Sequence, residues 1–103
     1  MAKIDKIKVG NTTYDVGGGD NYTTCQLGAF AAAGSKDVTG ITGLTANSTP
    51  ILDVVTSTTA ATAETELEDW SKIYHADTTA NGTIRFYAND ATSQTLTISV
   101  KGF

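Results

Sequence analysis

Apolar and polar positions alternate along much of the chain, which is the pattern of β-strands with one buried face. The clearest case is the segment 83–89, whose apolar positions fall on one face: Ile84, Phe86 and Ala88. The dipeptide Asn81-Gly82 comes directly before it and is a strong signal for a tight β-hairpin. The pattern therefore predicts that this segment is the second strand of a hairpin.

Helical spacing occurs once, just before that hairpin. Leu67, Trp70 and Ile73 recur three residues apart and predict a short helix at about 63–74 with an apolar stripe that packs on the sheet. Four acidic residues fall in what would be its first turns, where the helix dipole favours carboxylates: Glu64, Glu66, Glu68 and Asp69. We expect these carboxylates to lie in solvent. The segment 72–77 could finish this helix or begin the first hairpin strand.

Further strands are predicted at 22–30, 36–41, 50–56 and 95–100. We expect Cys25, Leu27 and Ala29 to share one face of the first of these strands. Pro50 suits the first position of a strand because it lacks an N–H group. The apolar run 51–55 is too dense for one exposed face, so it is predicted to be a central strand.

The N-terminal residues 1–16 predict a separate β-hairpin, with a turn at Gly10-Asn11. An isolated two-stranded hairpin is marginally stable in water, so we expect its apolar face to dock on another surface. The predicted attachment residues are Ile4, Ile7, Val9, Tyr14 and Val16. Residues 17–21 begin with three glycines and predict a joint, and residues 22–103 form the body. The predicted fold is mainly β: a small antiparallel β-sandwich with one short helix, preceded by this hairpin.

Composition and charge exclude several classes of protein. Charged residues are 17% of the chain, below the average of about 25%, while Thr, Ala, Gly and Asn are abundant, which favours strands and turns. The net charge of −4 and the scattered lysines disfavour a nucleic-acid partner. No apolar run approaches the length of about 20 residues that spans a bilayer, and no apolar signal-peptide core is present. We expect no membrane insertion and no export by the standard secretory route.

The sequence contains few residues that could form a catalytic or metal-binding site. His75 is the only histidine, so a catalytic triad would have to use it with Asp77 or Asp53, and no G-x-S-x-G motif supports one. The single cysteine, Cys25, excludes an intramolecular disulfide. Five oxygen-bearing residues lack the compact spacing of a calcium loop: Asp37, Asp53, Asp77, Asn89 and Asp90. We therefore predict no enzyme activity, no cofactor and no metal.

Aromatic residues leave one binding possibility open. An exposed aromatic ring can stack on a sugar, and Tyr87 falls on the face opposite Phe86, so it is the candidate for contact with a glycan. Trp70 lies on the apolar stripe of the helix and is predicted to be part of the core.

Five motifs in a fixed order resemble a known domain: DVTGIT, STPILDVV, ETELEDWSKIY, NGTIRFYAND and TLTISVKG. The domain lies at the C-terminus of tail-fibre, baseplate-tip and head-fibre proteins of phages that infect Firmicutes and other gut bacteria. The opening KIDKIKVGNTTYDVGGG resembles the N-terminal segment of many such proteins. The resemblance implies a sandwich distantly like the trimeric H-type lectin fold, a homotrimer, and no catalytic residues.

This resemblance gives two hypotheses. The first is a phage virion structural protein, made in the host cytoplasm and anchored by its hairpin to capsid or tail proteins as a head fibre, a decoration protein or a tail-tip protein. Only residues 17–21 separate hairpin and body, where typical fibres have a long shaft, so we expect a short knob. The alternative is a carbohydrate-binding module for host or mucosal glycans.

Overall fold

The computed structural model describes residues 6–9, 12–15 and 21–103. Within these residues the chain forms one helix, α1 (Ala60–Trp70), and eight strands. The strands are β1 (Lys6–Val9), β2 (Thr12–Asp15), β3 (Tyr22–Leu27), β4 (Gly34–Val38), β5 (Ile51–Val55), β6 (Ile73–Ala80), β7 (Thr83–Ala88) and β8 (Leu96–Lys101). The predicted class, mainly β with one short helix, is confirmed.

The strands β1 and β2 pair antiparallel and form a two-stranded sheet of their own. Their register places Ile7 opposite Tyr14 and Val9 opposite Thr12. The predicted N-terminal hairpin is therefore confirmed in its two strands. Its predicted turn, Gly10-Asn11, lies outside the described residues, as does the predicted joint 17–21 except for Asn21.

The body consists of two antiparallel three-stranded sheets. The first has the order β3-β8-β5 and the second has the order β4-β7-β6, so β8 and β7 are the two central strands. The chain changes sheet between β3 and β4, between β4 and β5, across the helix α1, and again between β7 and β8. The two sheets bury one face each, which is the predicted sandwich arrangement.

The core comes mostly from the central strands. Alternate residues of β7 are buried, as their sequence pattern predicts, because successive side chains of a strand point to opposite faces. In β8 the apolar residues Leu96, Ile98 and Val100 are buried in the same way, and Ser99 is buried as well. The largest fully buried side chains are Phe86, Leu27, Ile84, Leu96, Ile98 and Val100. Burial of each such side chain contributes about 1.5–3 kcal/mol, so these two strands dominate the stability of the body.

The run 51–55 is not a central strand, and that prediction is wrong. It forms β5, an outer strand of the first sheet, and its side chains alternate between half-buried and exposed. Ile51 is 66% exposed and Val55 is 42% exposed, while Leu52 and Val54 pack against the core. The apolar residues of this run cannot all be buried because the outer face of this sheet is open.

The helix differs from its prediction in both position and orientation. It begins at Ala60, after the N-cap residue Thr59, so no acidic residue lies in its first turn. It ends at Trp70, and the ambiguous segment after it starts the strand β6. Leu67 is 53% exposed, whereas the acidic side chains of Glu66 and Asp69 are buried. The predicted apolar stripe is therefore wrong at Leu67, and the prediction that all four carboxylates lie in solvent is wrong for two of them.

Two loops also differ from the predicted strands. The strand β3 ends at Leu27, so Ala29 is exposed and Phe30 enters the core instead. Phe30 is held there by two bonds: its N–H donates to Thr92 Oγ1 at 2.8 Å, and its carbonyl accepts the N–H of Thr92 at 3.0 Å. The strand β4 begins at Gly34 and ends at Val38, earlier than predicted.

The Asn81-Gly82 turn joins β6 and β7, as the dipeptide predicts. Gly82 has a φ of 73°, a left-handed conformation that only glycine adopts without strain. The turn is docked on the preceding loop, since Gly82 N–H donates to Leu44 O at 2.8 Å and Ile41 N–H donates to Gly82 O at 3.0 Å. This contact holds Ile41 and Leu44 in the core.

Candidate ligand-binding face

The outer face of the second sheet carries a cluster of aromatic and charged side chains. We call it the tyrosine face and define it by six residues: Asp37, Tyr74, His75, Asp77, Arg85 and Tyr87. The registers of the sheet place Arg85 between Asp37 and Asp77, and Tyr87 between Ser35 and His75. Two neighbouring rows across three strands therefore bring five of the six residues together, and the sixth, Tyr74, is next to His75 on β6.

A β-bulge in β6 concentrates the aromatic rings. Ile73 pairs with Ala88 and His75 pairs with Tyr87, so Tyr74 is an extra residue opposite a continuous partner strand. A bulge of this kind re-aims a side chain that would otherwise point to the other face. The Tyr74 and His75 rings lie 6.2 Å and 5.3 Å from the Tyr87 ring, measured between centroids. Tyr74 is 64% exposed and available to a ligand.

A bidentate ion pair between Arg85 and Asp37 fixes the charged part of this face. Arg85 Nε donates to Asp37 Oδ1 at 2.7 Å, and Arg85 Nη2 donates to Asp37 Oδ2 at 3.2 Å. This hydrogen bonding lowers the pKa of Asp37 below its ordinary value. It also raises the pKa of Arg85 above its ordinary value. The guanidinium is therefore held in one orientation between two strands.

The strand β6 contributes a second polar pair. His75 Nε2 lies 2.9 Å from Asp77 Oδ1, and both side chains are about half exposed. The tyrosine face thus offers aromatic rings together with hydrogen-bond donors and acceptors whose positions are set by a rigid sheet. Such a surface can bind a polar ligand by stacking and hydrogen bonding at the same time.

The predicted glycan-contact residue, Tyr87, lies at the centre of this face. The alternation in the segment 83–89 predicts that Arg85 shares this face with Tyr87. The sequence does not predict that Tyr74 and His75 join it, because the bulge in β6 breaks the alternation by which residues are assigned to a face. The sequence indicates this bulge only by the two ring-bearing residues Tyr74 and His75, which follow each other directly where alternation would separate them. Trp70 is half-buried and packs against the core, as predicted.

The predicted attachment residues fall on the N-terminal hairpin. Ile7 and Val9 belong to β1, and Tyr14 belongs to β2. Ile4 and Val16 lie outside the described residues.

The acidic residues considered for calcium do not converge on one point. Asp37 and Asp77 flank Arg85 on the second sheet, while Asp53 lies on β5 in the first sheet. Asp90 accepts the N–H of Ala91 at 2.8 Å within its own turn. In residues 6–9, 12–15 and 21–103, no group of three His, Cys, Asp or Glu side chains is placed to hold a metal ion.

Two buried carboxylates have structural partners. Glu66 Oε1 accepts the N–H of Ser57 at 2.8 Å. This bond holds the loop between β5 and α1 against the helix. Asp69 Oδ2 accepts hydrogen bonds from Ser93 and Gln94 in the loop between β7 and β8. These carboxylates stabilise loops and lie apart from the tyrosine face.

Over the described part of the chain, no helix is both long enough and apolar enough to cross a membrane. Comparison with family models, with curated proteins and with solved structures finds no match for this chain.

Proposed function

We propose that this chain is a phage virion structural protein: a short, self-associating knob that its N-terminal hairpin anchors to the capsid or the tail. The order of the five motifs and the opening segment support the phage assignment by resemblance. The same resemblance implies three copies in the knob. No catalytic role is proposed for any residue.

One observation carries the attachment role. The strands β1 and β2 pair only with each other in the described sheets, and they are four residues long. A two-stranded sheet of this length is marginally stable in water and gains stability by docking on another surface. The apolar residues Ile7, Val9 and Tyr14 supply the means of docking on a particle.

The test is incorporation into particles. The full chain and a variant that lacks residues 1–19 are each supplied during assembly, and purified virions are analysed by quantitative mass spectrometry. We expect the full chain in the virions and the shortened chain in the soluble fraction, with unchanged circular dichroism of its β-rich body. Absence of the full chain from virions would refute the proposal. Hundreds of copies per particle would indicate the head, and a few would indicate the tail tip.

A second candidate function is glycan binding, and the tyrosine face favours it. Tyr74 and Tyr87 present aromatic rings beside the fixed Arg85–Asp37 pair, which suits the apolar and hydroxyl-bearing faces of a sugar ring. Affinity per site would be low on an open surface, and several copies on one particle would raise it by avidity.

A glycan array with the full chain tests this second function. Binding should be lost in Tyr74→Ala and Tyr87→Ala and retained in Ile51→Ala, which removes a large side chain of similar exposure (66%) from the outer strand β5 of the other sheet. Equal loss in all three variants, or no binding by the wild-type chain, would remove the tyrosine face as a glycan site.

A further inference from the structure

The two sheets of the body have four outer strands, and three of them carry features that discourage pairing with another chain. Natural sheets protect their edges with charges, prolines and bulges. β4 carries Lys36 and Asp37, β5 follows Pro50 and carries Asp53, and β6 is interrupted by two register shifts. Those three edges are therefore poor templates for an added strand.

The outer strand β3 has none of these features. Its sequence is YTTCQL, it pairs with β8 without interruption, and no charged residue occurs between Asn21 and Ser35. An uncharged, regular outer strand rich in Thr, Tyr and Leu presents its free backbone N–H and C=O groups to any other strand. Because the other edges of the same molecule are protected, this one is suited to a specific contact.

We propose that β3 pairs antiparallel with β3 of a second copy of this chain. The pairing joins the two β3-β8-β5 sheets into one sheet of six strands across a two-fold axis. In such an isologous contact, residue i of one copy meets residue j of the other and the reverse also holds. The backbone hydrogen bonds of both free edges are then satisfied.

The charges of the strands point to a second copy as the occupant. Pairing centred on Thr24 sets Thr24 against Thr24 of the second copy, a favourable cross-strand pair, and sets Tyr22 against Gln26, which are both uncharged. Self-pairing centred on β4 would set Lys36 against Lys36, and self-pairing centred on β5 would set Asp53 against Asp53. Only β3 among these three strands is free of like-charge repulsion when it meets itself.

Among the residues that the structure describes, the space beside β3 is open. A groove of about 800 Å³ lies between β3 and β4, and its lining includes the whole of β3. Tyr22, Thr24 and Gln26 are exposed, while Cys25 and Leu27 point into the core. A second strand along this edge would add to the sheet while the core side chains keep their places.

This inference does not rest on the attachment role or on the phage assignment. It differs from the resemblance in the number of copies, since a two-fold contact gives a dimer or another even-numbered assembly, whereas the resemblance implies three. The molar mass of the protein in solution distinguishes a dimer from a trimer.

The first experiment measures the mass of the full chain by light scattering after size exclusion at about 10–100 μM. We expect twice the chain mass of 10.7 kDa. Thr24→Lys places two lysines opposite each other and should weaken the dimer at least about tenfold. The matched control is Val55→Lys, which adds the same charge at the opposite edge of the same sheet and should leave the dimer intact.

A second experiment locates the contact. In a Cys25→Ser background, Thr24→Cys should form a disulfide-linked dimer on mild oxidation, because directly opposite residues of antiparallel strands have Cα atoms about 4.5–5.5 Å apart, within disulfide range. Val55→Cys in the same background should not cross-link. A monomer or trimer in solution, or dissociation by Val55→Lys but not by Thr24→Lys, would overturn the proposal.

Discussion

The buried carboxylate of Asp69 accepts two hydrogen bonds from Ser93, one from its N–H at 3.1 Å and one from its Oγ at 3.2 Å. The same oxygen accepts the N–H of Gln94 at 3.0 Å. Asp69 lies in the last turn of α1 and is 2% exposed, while Ser93 lies between β7 and β8. A carboxylate therefore holds this loop on the helix at a position where the sequence suggests a solvated acidic face.

We expect Asp69→Ala to lower the free energy of unfolding by about 1–3 kcal/mol, since it leaves the part-buried backbone N–H groups of Ser93 and Gln94 without their acceptor. Urea denaturation followed by circular dichroism measures the change. The control is Glu68→Ala, an exposed acidic residue next to it on the same helix, which should change stability by at most about 0.5 kcal/mol. Equal effects of the two substitutions would show that the hydrogen bonds of Asp69 contribute little.

Leu67 is an apolar residue of the same helix that is exposed, so its removal should have little effect on stability. Its side chain is 53% exposed on α1, so we expect Leu67→Ala to cost less than about 1 kcal/mol. Leu96→Ala makes the same chemical change at a position that is 1% exposed on β8 and should cost about 2–5 kcal/mol. Urea midpoints of the two variants provide the comparison, and a large loss in Leu67→Ala would place that side chain in an interface.

These positions show how far the sequence predicts this fold. The alternation in β7 and β8 predicts these two strands and their buried faces, because each strand pairs regularly over its length. Their central positions are not predicted, since the sequence indicates the run 51–55 as central instead. The orientation of the helix is mispredicted because hydrophobic spacing cannot reveal that Glu66 and Asp69 have loop partners outside the helix. Tyr87 could be predicted on the outer face of its strand, where it is half-buried, but the tyrosine face could not, since it depends on a bulge and on pairing of β4 with β7.

Gly82 gives a prediction about the hairpin turn. Its φ is 73°, and a Cβ added to it would lie 3.4 Å from Ile41 O, so we expect Gly82→Ala to cost about 1–2 kcal/mol. Gly28→Ala is the control, because Gly28 has no positive φ and a Cβ there meets no atom within 4 Å. Thermal unfolding of both variants measures the difference. A Gly28→Ala variant that is as unstable as Gly82→Ala would contradict the role of the left-handed turn.

Asp37 gives a prediction about pH. The hydrogen bonds from Arg85 lower its pKa below the ordinary 3.8, so the pair contributes stability above that value and loses it as the pH falls through the lowered pKa. The pair is exposed, so its contribution is small, and the pKa is the better measurement. In an NMR titration of the Asp37 carboxyl group, Arg85→Gln should return the pKa toward 3.8. Lys36→Gln removes the same charge from the neighbouring residue, which makes no hydrogen bond with Asp37, and should shift the pKa less. An unchanged pKa in Arg85→Gln would mean that the ion pair does not persist in solution, and the fixed guanidinium of the tyrosine face would be lost with it.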